Sequence, residues 1–335
     1  MALFAFDRQP AYATVSGEAY CGDALELLRQ LPDQSLDLVM TSPPFALQRQ
    51  KTYGNRDQSE YLDWLMQFAA LVRPKLKESG SFVVDIGGAY QKGVPARSLY
   101  NFRIPIRFCD ELGYFLAQDF YWHNTAKLPS PIEWVNKRKI RAKDSVNTVW
   151  WFSRTEWPKA NISNVLAPYS ERMKKLIKDP ERFYKPKQRS SGHGIGSYFG
   201  KDNGGSIPSN LLQIANTESN TAYLKGCKLV GAGGHPARFP AKLPEFFIRF
   251  LTDPGDLVLD IFAGSNTTGQ VAEAEGRRWL AFEESKEYLS ASVFRFLPAD
   301  ESDDVKFAAY TSIQRGASLK VNVLAKQASL PLAAE

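Results

Sequence analysis

Residues 253–268 read D-P-G-D-L-V-L-D-I-F-A-G-S-N-T-T. Asp253-Pro254-Gly255-Asp256 has the composition of a turn, because proline presets φ and glycine accepts the left-handed region. Leu257-Val258-Leu259-Asp260 then gives the short apolar run of a buried strand. Phe262-Ala263-Gly264-Ser265-Asn266 is a tight small-residue loop, and a helix is predicted to start near Thr267. Strand, tight loop and helix in that order form the ligand-bearing unit of nucleotide-type α/β folds. The loop carries neither G-x-G-x-x-G nor G-K-[ST], so neither a pyrophosphate cradle nor a P-loop is expected. The next strand ends W-L-A-F-E at 279–283, which puts Glu283 where a carboxylate accepts hydrogen bonds from ribose hydroxyls. Phe262 offers a ring face to a sulfonium-type cation, an attraction of about 0.5–2 kcal/mol.

A second stretch, Thr41-Ser42-Pro43-Pro44-Phe45, lies more than two hundred residues upstream. It closes the apolar run L-D-L-V-M at 36–40, which reads as a buried strand. Two prolines stop regular pairing and leave nearby carbonyls facing outward. Ser42 adds a hydroxyl acceptor and Phe45 a flat apolar face. Acceptors beside an aromatic platform suit an amino group on a planar ring, such as the exocyclic amine of a nucleobase. Taken alone, the same residues would fit a strand end capped by a Pro-Pro turn; the distant loop decides between the two.

Together, T-S-P-P-F and D-I-F-A-G-S resemble the DNA amino-methyltransferases of restriction–modification systems. These enzymes use S-adenosyl-L-methionine (AdoMet) to methylate exocyclic nitrogens in DNA. The order, catalytic segment first and cofactor loop last, resembles their beta group, a circular permutation of the usual order. H-P-A-R-F-P at 235–240 resembles the family motif that borders the methionine part of AdoMet. S-V-N-T-V-W-W-F-S at 145–153 and F-G-K-D-N-G-G-S-I-P at 199–208 are similar to a cytosine-N4 member, and the likeness spans about 15–297. The resemblance implies a catalytic set of Ser42, Pro43, Pro44 and Phe45. It implies an AdoMet pocket from Asp23, Phe239, Pro240, Asp260, Phe262, Ala263, Gly264, Ser265, Asn266, Thr267, Thr268 and Glu283. Asp23 reads equally as a helix N-cap, a position aspartate favours. A palindrome like CAGCTG is the target that the resemblance suggests.

Strands and helices alternate along the chain. Residues 17–23 read as a strand and 24–31 as a helix. Residues 61–76 read as a helix, 80–87 as a strand, 102–112 as a helix, and 114–122 and 146–153 as strands. The expected fold is α/β, a doubly wound, mostly parallel sheet of the AdoMet-dependent methyltransferase type with an inserted recognition region. Expected boundaries are a catalytic half at 1–156, target recognition at 157–234, an AdoMet-binding half at 235–297 and a tail at 298–335. Residues 48–55 read as a polar loop near substrate. Tyr121 or Trp122 is the candidate second aromatic against the base, with a core role as the alternative.

Charge is unevenly placed. Residues 121–200 hold 16 Lys and Arg against 6 Asp and Glu, a net of +10 in a chain of net +6, so the remainder is about −4. Such a local excess is the footprint of a phosphate-backbone ligand. Lys137 and Arg138 are the candidate phosphate clamp. Arg189, His193, Lys201 and Asn203 belong to a Gly/Ser/Asn-rich stretch whose donors suit base edges in a groove.

The 335 residues contain no run of eighteen apolar residues and open without a signal pattern. Cys21, Cys109 and Cys227 are scattered without C-x-x-C spacing, so no disulfide framework or zinc site is expected. They follow Tyr20, Phe108 and Gly226, which excludes the Pro-Cys nucleophile of C5-cytosine methyltransferases. The expectation is a bacterial cytoplasmic monomer acting on double-stranded DNA, with no metal and no membrane. Its reaction is methylation of cytosine N4 by base flipping, protecting DNA from a cognate endonuclease. Adenine-N6 methylation is the alternative within the same chemistry. A Rossmann oxidoreductase and a non-catalytic DNA-binding module are the readings outside it.

Overall fold

The computed structural model describes residues 3–45, 58–183, 200–217 and 221–321. The expected loop at 48–55, Arg189, His193 and the end of the tail lie outside the described residues. Contacts divide the chain into two compact units, Met1–Ala160 with Asn210–Glu335, and Asn161–Ser209.

The first unit is built on one sheet. Its strands are β1 (Tyr12–Ala13), β2 (Gly17–Cys21), β3 (Leu36–Thr41), β4 (Leu76–Gly87) and β5 (Phe115–His123). They continue as β6 (Val146–Ser153), β7 (Leu211–Gln213), β8 (Leu257–Asp260), β9 (Arg278–Glu283) and β10 (Leu319–Lys320). The spatial order is β10-β1-β2-β9-β8-β3-β4-β6-β5-β7. Pairings from β2 through β9, β8 and β3 to β4 are all parallel. The β4–β6 and β5–β6 pairs are antiparallel. The mostly parallel, doubly wound α/β arrangement expected from the sequence is therefore the one observed.

Helices α1 (Ala24–Gln30), α2 (Gln58–Lys75) and α3 (Tyr100–Leu112) belong to this unit, while α4 (Glu171–Lys178) and α5 (Pro180–Phe183) belong to the other. The first unit resumes with α6 (Ala222–Leu229), α7 (Lys242–Leu251), α8 (Thr267–Ala274), α9 (Lys286–Ser292) and α10 (Asp303–Gln314). Parallel strands covered on both faces are apolar along their whole length, and β3 and β8 are buried at every residue. Val39, Phe82, Val84, Leu259 and Phe282 form one core with Leu65, Phe68 and Val72 of α2 and Ile104 and Phe108 of α3. Each such side chain contributes about 1.5–3 kcal/mol by leaving water. Helix α3 stops at Gly113, whose φ of 71° supplies the left-handed cap.

Register sets the site. Thr41 lies opposite Val84, Asp260 opposite Ala281, and Cys21 opposite Glu283. The carboxyl ends of β2, β3, β4, β8 and β9 thus share one edge of the sheet. Ligands of open α/β sheets bind at this edge.

In the second unit, Ser170 caps α4 through Met173 N–H, and Ala167 and Ser206 pair as an isolated bridge. Of the expected recognition region, β7 and α6 belong to the first unit. β7 extends the sheet beside β5, and α6 packs closely enough on Phe294 that a Cβ on Gly226 would fall 2.5 Å from its ring.

Candidate active site

A cleft of about 700 Å³ opens at this edge. Ser42, Pro43, Pro44 and Phe45 line it together with Asp23, Phe262 and Glu283. The two motifs that the sequence separates by more than two hundred residues therefore face one cavity.

Ser42 directly follows β3. Its Oγ donates to Oδ2 of Asp85 at 3.0 Å. Asp85 lies on β4 and is buried, and its Oδ1 accepts Nδ2 of Asn147 at 3.1 Å. Asn147 on β6 stands opposite Gly87, the diagonal neighbour of Asp85 on the same face. Burial pushes the Asp85 carboxyl up to about 6, opposed by the hydrogen bonds from Asn147 and Ser42 and by the charge of Lys127. Because the Ser42 proton points to Asp85, the hydroxyl lone pairs are left as acceptors. Asp85 and Asn147 are absent from the set expected from sequence. A carboxylate inside an apolar strand, V-V-D-I, was the available signal.

Phe45 lines the cleft and packs on Gly87, where a Cβ would fall 2.5 Å from its Cε2. Tyr100 donates its hydroxyl to the Gly87 carbonyl. Glycine is required there because the ring approaches the backbone itself.

Glu283 accepts Gly264 N–H at 2.7 Å on Oε2 and Ser285 N–H at 2.8 Å on Oε1. Burial pushes its carboxyl up to about 7. Each oxygen keeps a further lone pair for a ligand. Asp23 caps α1 by accepting Leu25 N–H at 2.6 Å, and it also lines the cleft.

Asp260 is fully buried beneath the cleft and does not line it. Its Oδ1 accepts Thr41 Oγ1 at 2.7 Å and Phe262 N–H at 3.1 Å, while Oδ2 accepts Thr268 Oγ1 at 2.7 Å. Asn266, at φ 55°, accepts Gly269 N–H at 3.0 Å and donates to the Tyr12 hydroxyl at 2.9 Å. Arg295 holds the Ser265 carbonyl at 2.6 Å and its hydroxyl at 3.0 Å. Of the loop, only Phe262 lines the cleft, next to Ile261; Ala263, Gly264, Ser265, Asn266, Thr267 and Thr268, expected in the pocket, do not line it, because the loop turns inward on its own hydrogen bonds.

Phe239 and Pro240 do not line the cleft; His235 and Ala237 of the same segment do. The His235 ring packs edge-on against Tyr288 at 4.6 Å. Burial, reinforced by Arg238, pushes its imidazole down to about 4 and keeps it neutral. Trp64 and Phe68 of α2 flank Phe262 at 5.4 and 4.8 Å. Aromatic walls, a neutral imidazole and the acidic side chains of Asp23, Glu283, Glu284 and Glu287 fit a ligand that combines a flat base, hydroxyls and a cation.

Trp122 is a core residue, buried with its indole N–H on the Ile214 carbonyl at 2.9 Å. Tyr121 is half-buried, and neither aromatic lines the cleft. Lys137 and Arg138 are exposed and both pair with Glu133, at 3.3 and 2.9 Å. In the second unit, Lys201 and Asn203 are exposed; Asn203 donates its N–H to the Tyr169 hydroxyl at 2.7 Å. Among the described residues no group of His, Cys, Asp and Glu is arranged to hold a metal, and no helix is long and apolar enough to cross a membrane.

The family model described as DNA methylase matches residues 36–294. The chain is 66% identical to the Type II methyltransferase M.PvuII of Proteus hauseri, over 95% of this chain and 94% of that protein. It is 26% identical to the Type II methyltransferase M.ScaI of Streptomyces caespitosus, over 86% and 83% of the two chains. Among solved structures, the cytosine-N4-specific PvuII DNA methyltransferase superposes with a TM-score of 0.79 at 56% identity, covering 96% of this chain and all of that one. A putative DNA modification methylase of Thermus thermophilus, complexed with S-adenosyl-L-methionine, shares the fold at a TM-score of 0.51 and 20% identity, over 92% and 100% of the chains. The match over 36–294 and the 66% identity along nearly the whole length make the chain a member of the DNA methylase family.

Proposed function

We propose that this protein is an AdoMet-dependent, site-specific DNA methyltransferase that modifies the N4 amine of cytosine in a restriction–modification system. The observation that carries the reading is Ser42, whose hydroxyl donates to buried Asp85 at 3.0 Å on the wall of a cleft that also holds Glu283. The likeness to the cytosine-N4-specific PvuII DNA methyltransferase, 56% identical at a TM-score of 0.79, supports cytosine N4 over adenine N6. When bound, AdoMet supplies an electrophilic methyl group on a sulfonium.

Glu283 and Asp23 would hold its hydroxyls, and Phe262, Trp64 and Tyr288 its flat and cationic parts. The chain's own residues do the rest. A base inside duplex DNA must leave the stack to reach such a cleft. Phe45 stacks on it, while Ser42 Oγ and the carbonyls near Pro43 accept the amine hydrogens. These contacts favour a tetrahedral nitrogen over the planar, delocalised one, so orientation and electrostatics carry the rate. As the nitrogen gains its methyl group it becomes a strong acid. Its proton passes to Ser42 Oγ, and the Ser42 proton passes to Asp85.

The protein acts as a cytoplasmic monomer on duplex DNA. The second unit and the neighbouring basic band supply recognition and backbone contacts. A CAGCTG-like palindrome is the proposed target. The deciding experiment is nucleoside mass analysis of DNA from bacteria expressing the protein. N4-methylcytosine is the expected product; N6-methyladenine instead would move the reading to adenine, and no modified base would remove it.

A further inference from the structure

Residues 124–145 form a loop between β5 and β6, at the sheet edge that carries the cleft. His123 stands opposite Val146 and Gly87 opposite Asn147, so the loop rises beside the Ser42–Asp85–Asn147 set. The loop is braced at several points. Asn124 N–H donates to Ser145 O at 2.9 Å, Lys127 N–H to Asn124 O at 3.2 Å, and Asp144 N–H to Ser130 O at 2.8 Å. Lys143 Nζ adds a bond to Lys127 O at 3.2 Å. Between these braces Leu128 is 81% exposed, flanked by Lys127 and Pro129. A braced loop that leaves a leucine in water forgoes the stabilisation that burial gives an apolar side chain.

Exposure alone does not single this residue out, because Val15 and Trp157 are each 86% exposed. Val15 precedes β2 and Trp157 follows β6, which places both at the opposite end of the sheet. Leu128 is the one of the three beside the catalytic edge, and it is more exposed than Ile132 (60%) and Ile140 (46%) of the same loop. Its loop carries six basic side chains, Lys127, Lys137, Arg138, Lys139, Arg141 and Lys143, against Glu133 and Asp144. That balance selects a polyanion as the occupant of this surface.

We propose that Leu128 is a wedge that enters the base stack of duplex DNA and fills the gap left by the extruded base. Apolar side chains inserted between base steps unstack them and hold the opened geometry. A leucine among basic side chains, on a loop that leaves β5 at the sheet edge carrying the cleft, meets that requirement. The proposal rests on the base-methylating reading of the cleft.

The test measures single-turnover methylation at saturating AdoMet for wild type, Leu128→Ala and Leu128→Met. Two short CAGCTG duplexes serve as probes, one fully paired and one with an abasic site opposite the modified cytosine. A wedge matters only while the target base is paired and stacked. Leu128→Ala should therefore lose about tenfold or more on the paired duplex and stay within about twofold of wild type on the abasic one. Leu128→Met, apolar and of similar size, should recover most of the loss. Equal loss on both duplexes, or no loss on the paired one, overturns the wedge while the methylation reading stands. A wild type inactive on both duplexes overturns the CAGCTG target, and the same pair of duplexes built on the site mapped by mass analysis of cellular DNA then decides the wedge.

Discussion

The Ser42 hydroxyl and the Asp85 carboxylate, 43 positions apart in the chain, meet at 3.0 Å where two parallel strands end side by side. The bond turns a serine that could rotate freely into an oriented acceptor. Ser42→Ala should lower the single-turnover methylation rate by about 10²–10³. Calorimetry should find its AdoMet affinity close to wild type, since Ser42 addresses the amine.

Asp85 gives this arrangement a pH signature. Its carboxyl is raised to about 6, so the form that takes the Ser42 proton is lost as pH falls through that value. Methylation should decline there. Stability should run the other way, because the folded state binds the proton more tightly than the unfolded chain. The Asp85 contribution is present at acid pH and is lost as pH rises from the usual carboxylate range to about 6. Asp85→Asn should abolish both trends, as rate profiles and denaturant melts across pH 4–7 would record.

Glu283 should govern cofactor affinity. Glu283→Ala is expected to weaken AdoMet binding by about 1–3 kcal/mol, the cost of polar groups left without partners. In wild type the carboxyl ionises near 7. Affinity should rise with pH through that value, and binding below it should release a proton. Calorimetry in buffers of different ionisation enthalpy reads that proton directly.

Phe45 is half-buried against Gly87. Phe45→Ala should cost about 1–3 kcal/mol in binding an extruded base and little in melting temperature. Gly87→Ala should shift the Phe45 ring and slow methylation on its own. A collapse of thermal stability in Phe45→Ala would mark the ring as a core residue.

Backbone clamp and sequence reader should fail in different ways. Neutralising Lys137 and Arg138 together should weaken binding to every duplex and flatten the slope of log K against log salt by up to about two units. Glu133, which pairs with both, limits the change, so Glu133→Gln alone should steepen the slope slightly. Changing Lys201 or Asn203 should narrow the gap between a cognate and a scrambled duplex. Salt titrations on both duplexes separate the cases.

The sheet was legible because buried parallel strands write continuous apolar runs: 36–40 was read where Leu36–Thr41 forms, and 146–153 matches Val146–Ser153. Strands of two or three residues, such as Tyr12–Ala13 and Leu211–Gln213, carry no period to read. Ser42, Phe45, Phe262 and Glu283 were legible as side chains at strand ends. Asp85 and Asn147 were not, because their pairing depends on the register of β4 against β6, which no local pattern encodes. Asp260 drew notice as part of a ligand loop, yet its three hydrogen bonds point inward.

Those bonds join the two motifs. Asp260 fastens Thr41, the residue before Ser42, to Phe262 and Thr268. Residues before Ser42 and residues beyond β8 therefore share one buried carboxylate as their anchor. A single substitution at Asp260 should then disturb both motifs together, the one after β3 and the one after β8, although the side chain itself never meets the cleft.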